Sequence, residues 1–153
     1  MFVIREGGLD DPRVRALITH HSTTARAQTA RGSAHALDAD TLKSPDMRFF
    51  AAWDGDVLAA IGALKRLSQA HGEIKSMHTA ASHRRRGAGS AMLDHLIATA
   101  LAMGMTRVSL ETGSWPFFDG ARAFYKRAGF TECPPFEGYA TDPHSVFMTR
   151  ALE

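Results

Sequence analysis

Glu73-Ile74-Lys75-Ser76-Met77-His78-Thr79, followed after four residues by Arg84-Arg85-Arg86-Gly87-Ala88-Gly89-Ser90, is the stretch from which the fold is read. The first part reads as a strand from Glu73 to Thr79. From about Gly87 to Met103, the apolar residues Met92, Leu96, Ala100 and Met103 recur at three or four positions, the period of one helix face, and Gly104 follows as a C-terminal cap. The stretch is therefore strand, glycine loop, helix. Unpaired backbone N–H groups converge at a helix N-terminus, and the macrodipole adds about half a positive charge there, so the place suits a phosphate. The three arginines just upstream supply charge for further phosphates. Without a ligand, the same residues would be an exposed basic turn.

Upstream, the apolar runs Phe49 to Trp53 and Val57 to Leu64 are joined at Asp54-Gly55, a turn pair that makes them an antiparallel hairpin. Phe2 to Arg5 is a short strand, and Asp10-Asp11-Pro12 starts a helix carrying Val14, Leu17 and Ile18. Segment 28–44 mixes loop with a short helix around Asp38 to Leu42. Downstream, Arg107 to Thr112 is a strand with Val108 and Leu110 on one face. Phe117, Ala121, Phe124 and Ala128 mark another helix, with Pro116 near its start and Gly129 just past its end. Val146 to Thr149 is the last strand. This order predicts an α/β (mixed α+β) fold: a central mixed sheet, mostly antiparallel, with helices on both faces.

At 153 residues and 44% hydrophobic, the chain suits one domain, residues 1–153, burying roughly two-thirds of its unfolded surface. Met1-Phe2-Val3-Ile4 runs straight into Arg5 and Glu6 without a long apolar stretch, so no secretory signal is expected. No apolar run approaches the roughly 20 residues needed to span a bilayer, so no membrane partner is expected. A lone Cys133 cannot form an internal disulfide, in keeping with a cytoplasmic location. It precedes Pro134 and Pro135 with no His beside it, which argues against a nucleophile.

The net charge is only +2 and no aromatic platform flanks the arginines, so no nucleic-acid partner is expected. Eight histidines lack ligand spacing, and no metal is expected; His20 and His21 read as a solvated helix end. The loop ends Gly-Ala-Gly-Ser without the lysine of a P-loop. Met92 stands where a dinucleotide fingerprint needs its third glycine, and the strands before the loop are antiparallel, against a nicotinamide site.

Arg84-x-x-Gly87-x-Gly89 between a strand and a helix resembles the acyl-CoA loop of the GNAT family of N-acetyltransferases. Glu73 opens the preceding strand, where many members carry a glutamate that acts as general base. Ala123-Phe124-Tyr125-Lys126-Arg127-Ala128-Gly129-Phe130 resembles the family's helix-to-strand segment, whose tyrosine faces the cofactor thiol. The resemblance runs from about Phe49 to the C-terminus. It is nearest to a bacterial branch of small acetyltransferases with small acceptors, through His35-Ala36-Leu37-Asp38, Glu73 to Met77, Leu110-Glu111-Thr112-Gly113 and Tyr139 to Met148.

The resemblance implies acetyl-CoA as co-substrate and a parallel pair, Glu73 to Thr79 beside Arg107 to Thr112, that splays apart to admit the pantetheine arm. Met77, His78 and Thr79 would run along the arm, while Arg84, Arg85, Arg86, Gly87, Ala88, Gly89 and Ser90 hold the pyrophosphate. At about 3.3 Å per residue, Glu73 lies on the order of 20 Å back from Thr79, the scale of an extended arm. Many members carry an asparagine after the second strand; here stand Gly113 and Ser114, with Ser114 as substitute or as helix cap.

Glu73 is then the base and Tyr125 the acid, with His78 and Glu111 as rival bases. Strand alternation puts Glu73, Met77 and Thr79 on one face and His78 on the other, unless a bulge resets the phase. His35, Asp38, Glu111, Tyr139 and Asp142 are candidates to bind a cationic or amino-acid-like amine of a small molecule or peptide, under the polar loop Tyr139 to Ser145. A domain that binds acyl-CoA as a sensor, without turnover, is the alternative, and a homodimer through the last strands is compatible with the fold.

Overall fold

The computed structural model describes residues 1–28 and 37–153; His35, expected at the acceptor site, lies outside the described residues. The chain runs β1 (Val3–Glu6), α1 (Pro12–Ala27), a 3-10 turn at Thr41–Lys43, β2 (Met47–Asp54), β3 (Val57–Arg66) and β4 (His71–Thr79). It continues through a 3-10 turn at Ala81–His83, α2 (Ala88–Ala102), β5 (Arg107–Gly113), a 3-10 turn at Pro116–Phe118, α3 (Asp119–Arg127), β6 (Thr131–Cys133) and β7 (Ser145–Ala151). The strands form one seven-stranded sheet in the order β1-β2-β3-β4-β5-β7-β6. Every neighbouring pair is antiparallel except β4 and β5, which are parallel. The mixed sheet expected from the order of elements is thus present. The short edge strand β6 was not anticipated, because Thr131-Glu132-Cys133 is too brief to carry a period before Pro134-Pro135.

Alternation along β2 explains the layering. Phe49 and Ala51 pack with Val14 and Ile18 of α1, whereas Phe50 and Ala52 pack with Met92, Leu93 and Leu96 of α2. Asp11 starts α1 as expected, its carboxylate accepting from the Arg13 N–H at 2.8 Å ahead of Pro12 at the first helical positions. The stripe on α2 is buried as its spacing demands, Met92, Leu96 and Ala100 all at 0% exposure. Each large side chain in that stripe contributes about 1.5–3 kcal/mol.

Two irregularities shape the middle of the sheet. The parallel pair is short: His71, Gly72 and Glu73 face Arg107, Val108 and Ser109, and pairing stops there. Beyond that point the two strands separate. On its other side, β4 carries a bulge, since Ile61 faces His78 while Ala63 faces Lys75, so three steps on β4 match two on β3. Ser76, inside the bulge, has φ 55, a left-handed conformation uncommon for a residue with a side chain. No described helix is long and apolar enough to cross a membrane.

Candidate active site

The bulge decides which way β4 points its side chains. Ile74 enters the core beneath α2, so its neighbours Glu73 and Lys75 face the α1 side. Past Ser76 the phase is reset. The Met77 sulfur stands with Met92 and Leu96 around Gly62, and Thr79 Oγ1 approaches Gly89 at the start of α2. His78 faces α1, with ring contacts to His20 and His21 at 5.4 and 5.0 Å. The alternation expected from sequence is therefore corrected: Glu73 and His78 share one face, and Met77 and Thr79 the other. His21 is corrected too, because it sits in mid-helix and turns inward, its Nδ1 2.9 Å from His78 Nδ1. Burial, and then neighbouring histidines, lower both rings to pKa about 4, so the pair is neutral at pH 7.

Where β4 and β5 part, a cleft of about 270 Å³ opens, lined from β4 by Glu73, Lys75, Met77 and His78, from β5 by Glu111 and Thr112, and from α3 by Tyr125. Glu73 is only 3% exposed. Its Oε2 accepts from Lys75 Nζ at 3.1 Å and from the Tyr139 hydroxyl at 2.7 Å, and Lys75 Nζ also donates to Tyr139 Oη at 2.9 Å. Burial, and next the Glu73 charge, push the Tyr139 phenol up, so it remains a donor. Glu73 also borders a second, open hollow of about 240 Å³ beside Tyr139, Lys65 and Glu137. Glu111 faces the cleft from β5 and accepts from Ser145 Oγ at 2.8 Å. Asp142 accepts from the His144 N–H at 2.8 Å, which shapes the turn before β7.

Tyr125 lies in the opposite wall, 8% exposed, held edge-on between Phe124 at 5.2 Å and Phe130 at 5.6 Å. Burial raises its phenol pKa, so it keeps its proton at neutral pH. Ser114 caps no helix: its hydroxyl donates to the Pro143 carbonyl at 2.7 Å and ties the end of β5 to the loop before β7.

At the far end of β4 the chain turns through Ala81–His83 into the arginine loop. Arg85 at φ 62 and Gly87 at φ 86 are both left-handed, a turn that glycine makes without strain. Gly87 is the N-cap of α2 and offers no side chain, so the first-turn N–H groups of α2 are left for another acceptor. A Cβ on Gly89 would lie 3.1 Å from Thr79 Oγ1, which shows how closely α2 abuts the end of β4. Arg84, Arg85, Arg86 and Ser90 are exposed around this turn, and Ala88 is buried under it. Glycine where backbone must be approached, open amides and three solvated cations together fit a pyrophosphate.

His83, next to those arginines in the chain, does something else. It is 4% exposed, its Nε2 lies 3.0 Å from Asp54 Oδ2 at the hairpin tip, and Ser82 Oγ is 2.8 Å from its Nδ1. The hydrogen bond from His83 is also the main reason the Asp54 carboxyl is lowered. Three features were thus missed: His21, Lys75 as a second ligand of Tyr139, and the His83–Asp54 pin. The spacing of Glu73 and Lys75 marked them as neighbours; the other contacts are long-range. Among the described residues, no cluster could hold a metal ion.

The family model described as "Acetyltransferase (GNAT) family" matches residues 14–130. The chain is 44% identical over 149 residues to the uncharacterized N-acetyltransferase YsnE of Bacillus subtilis (strain 168), covering 97% of this chain and 99% of that one. It is 41% identical over 152 residues to the uncharacterized N-acetyltransferase YedL of Escherichia coli (strain K12), covering 99% and 96%. Among solved structures, a candidate acyl-CoA N-acyltransferase of Klebsiella pneumoniae subsp. pneumoniae MGH 78578 superposes with TM-score 0.81 at 25% identity, covering 100% of this chain and 99% of that chain.

Proposed function

The chain belongs to the acetyltransferase (GNAT) family and is an N-acetyltransferase; on that premise we propose that it moves the acetyl group of acetyl-CoA directly to a primary amine of a small molecule or peptide, with Glu73 as general base and Tyr125 as general acid. The observation that carries this reading is the parting of β4 and β5 just beyond Glu73, which opens a cleft with a carboxylate on one wall and a buried phenol on the other. Acetyl-CoA, when bound, supplies an activated acyl group on sulfur.

Attack requires a neutral amine. A lysine-like ammonium with pKa near 10.4 costs about 4–5 kcal/mol to deprotonate at pH 7, so a proton acceptor at the acceptor's end of the cleft is needed. Glu73 is positioned for it, directly or through one water. Tyr125 holds its proton at neutral pH and is available to protonate the departing thiolate sulfur. The open N–H groups at the start of α2, with Arg84 to Arg86 beside them, suit the pyrophosphate, and Met77 and His78 line the cleft that the arm would enter.

Steady-state acetylation of an amine panel tests the assignment. Glu73→Gln is expected to lower kcat by about a hundredfold, and Tyr125→Phe by about tenfold or more. Binding of acetyl-CoA should survive both changes. Full activity in both variants would remove Glu73 and Tyr125 from the chemistry.

A further inference from the structure

The acceptor's chemical class can be narrowed from the way Glu73 and Lys75 share their hydrogen bonds, given the reading that Glu73 takes the amine's proton. The two hydrogen bonds on the carboxylate both end on Oε2, one from Lys75 and one from Tyr139. Its Oε1 has no hydrogen-bond partner among the described residues. Lys75 is the mirror case. Its ammonium has three N–H groups, of which one goes to Glu73 Oε2 and one to Tyr139 Oη. The third has no partner among the described residues, although the Lys75 side chain is only 10% exposed and lines the cleft. A buried ammonium with an unused donor is costly to leave so. The site therefore presents, side by side, one carboxylate oxygen able to receive an amine hydrogen and one ammonium hydrogen seeking an anion. Lys75 Nζ and Glu73 Oε2 are 3.1 Å apart, so the two free positions are close neighbours.

We propose that the acceptor is a free amino acid, whose amine hydrogen-bonds Glu73 Oε1 while its own carboxylate takes the third N–H of Lys75. In an α-amino acid one carbon separates the amine nitrogen from the carboxylate carbon, which matches two adjacent sites. A simple cationic amine gains less here, because Lys75 already offsets the charge of Glu73 and its third N–H stays unpaired. A peptide N-terminus offers an amide carbonyl where the free acid offers a carboxylate, and charge-assisted hydrogen bonds are about twice as strong as neutral ones. In the transfer, the amine nitrogen bonds to the acyl carbon as the carbon–sulfur bond breaks. The ammonium's first proton passes to Glu73 and on to solvent, giving the neutral amine; the second leaves the nitrogen as the amide forms and replaces, through water, the proton that Tyr125 gives to the sulfur. The products are an N-acetyl amino acid and the free thiol.

The test compares free α-amino acids with their carboxamides as acceptors, with acetyl-CoA as donor and thiol release as the signal, in the wild type, Lys75→Gln and Lys75→Arg. The wild type is expected to favour free acids in kcat/KM by about tenfold or more, the effect of one charge-assisted contact. In Lys75→Gln that ratio should fall towards one, mainly through KM of the free acids. Lys75→Arg should keep much of it, which separates loss of the cation from loss of folding. Carboxamides that match or exceed free acids in the wild type overturn the proposal, as does a ratio that survives Lys75→Gln. If amines or peptides are acetylated and amino acids are not, this inference falls while the base assignment stands. If acetyl-CoA does not bind, the underlying reading falls with it.

Discussion

His83 stands next to three arginines in the chain, yet its ring is buried and bonded to Asp54 and Ser82, whereas the arginines are solvated. The residue that begins the loop is thereby pinned to the β2–β3 hairpin tip, which fixes where Arg84 to Gly87 emerge. Its removal should loosen the loop without touching the reacting atoms. His83→Ala is expected to raise KM for acetyl-CoA by about tenfold with a smaller change in kcat, read from initial rates at varied acetyl-CoA. Asp54→Asn should do less, because that carboxylate is 48% exposed. A loss confined to kcat would contradict the pinning role. This contact was hidden in the sequence, since its partners lie 29 positions apart and a run of basic residues reads as one patch. Glu73 and Tyr125, which the family resemblance implied for the site, both line the cleft. Each sits at a set distance from a local signal, the glycine loop for one and a helix end for the other. Lys75 was visible as a neighbour of Glu73, but its burial against Tyr139, 64 positions away, was not.

Among the elements, β4 carries most of the departure from expectation. A strand from Glu73 to Thr79 was expected and the observed one begins two residues earlier, at His71, while its parallel pairing with β5 follows the family resemblance. The bulge did not follow from any of these, because Ser76 offers no glycine or proline to mark the left-handed turn. A single inserted residue moves His78 to the face of α1, where it meets His21. Both rings are held neutral, with pKa values lowered from about 6.5 to about 4 by burial first. The unfolded chain therefore binds protons between roughly pH 6.5 and pH 4 that the folded chain does not. The stability this pair contributes is complete above pH 6.5 and is lost as pH falls towards 4. The melting temperature is expected to drop steadily across that window, and the drop should shrink in the double variant His21→Gln/His78→Gln, measured by circular dichroism. An unchanged acid-side slope in that variant would place the titration elsewhere.

For the whole molecule, the arrangement follows from two cores on either side of one sheet and from a parallel pair that fails to close. The hairpin at Asp54-Gly55, the helix stripe from Met92 to Ala100 and the order of strands made the sheet readable, because each is a local pattern. How widely β4 and β5 part, and which side chains fill the gap, depends on contacts among α1, α3 and the loop before β7, none of them local. Those contacts bring Glu73, Tyr125 and Glu111 to one cleft, and the glycine loop follows the end of β4, where Gly89 abuts Thr79. In the proposed reaction that cleft and loop serve as a single acyl-CoA site. Calorimetric titration with acetyl-CoA, in the wild type and in Gly89→Glu, tests it most directly. A Cβ added at Gly89 would lie 3.1 Å from Thr79 Oγ1, and a carboxylate there would oppose a pyrophosphate. Micromolar binding by the wild type, weakened about a hundredfold or more in a folded Gly89→Glu protein, is the result expected. No binding at millimolar acetyl-CoA, or equal binding by both proteins, would contradict it.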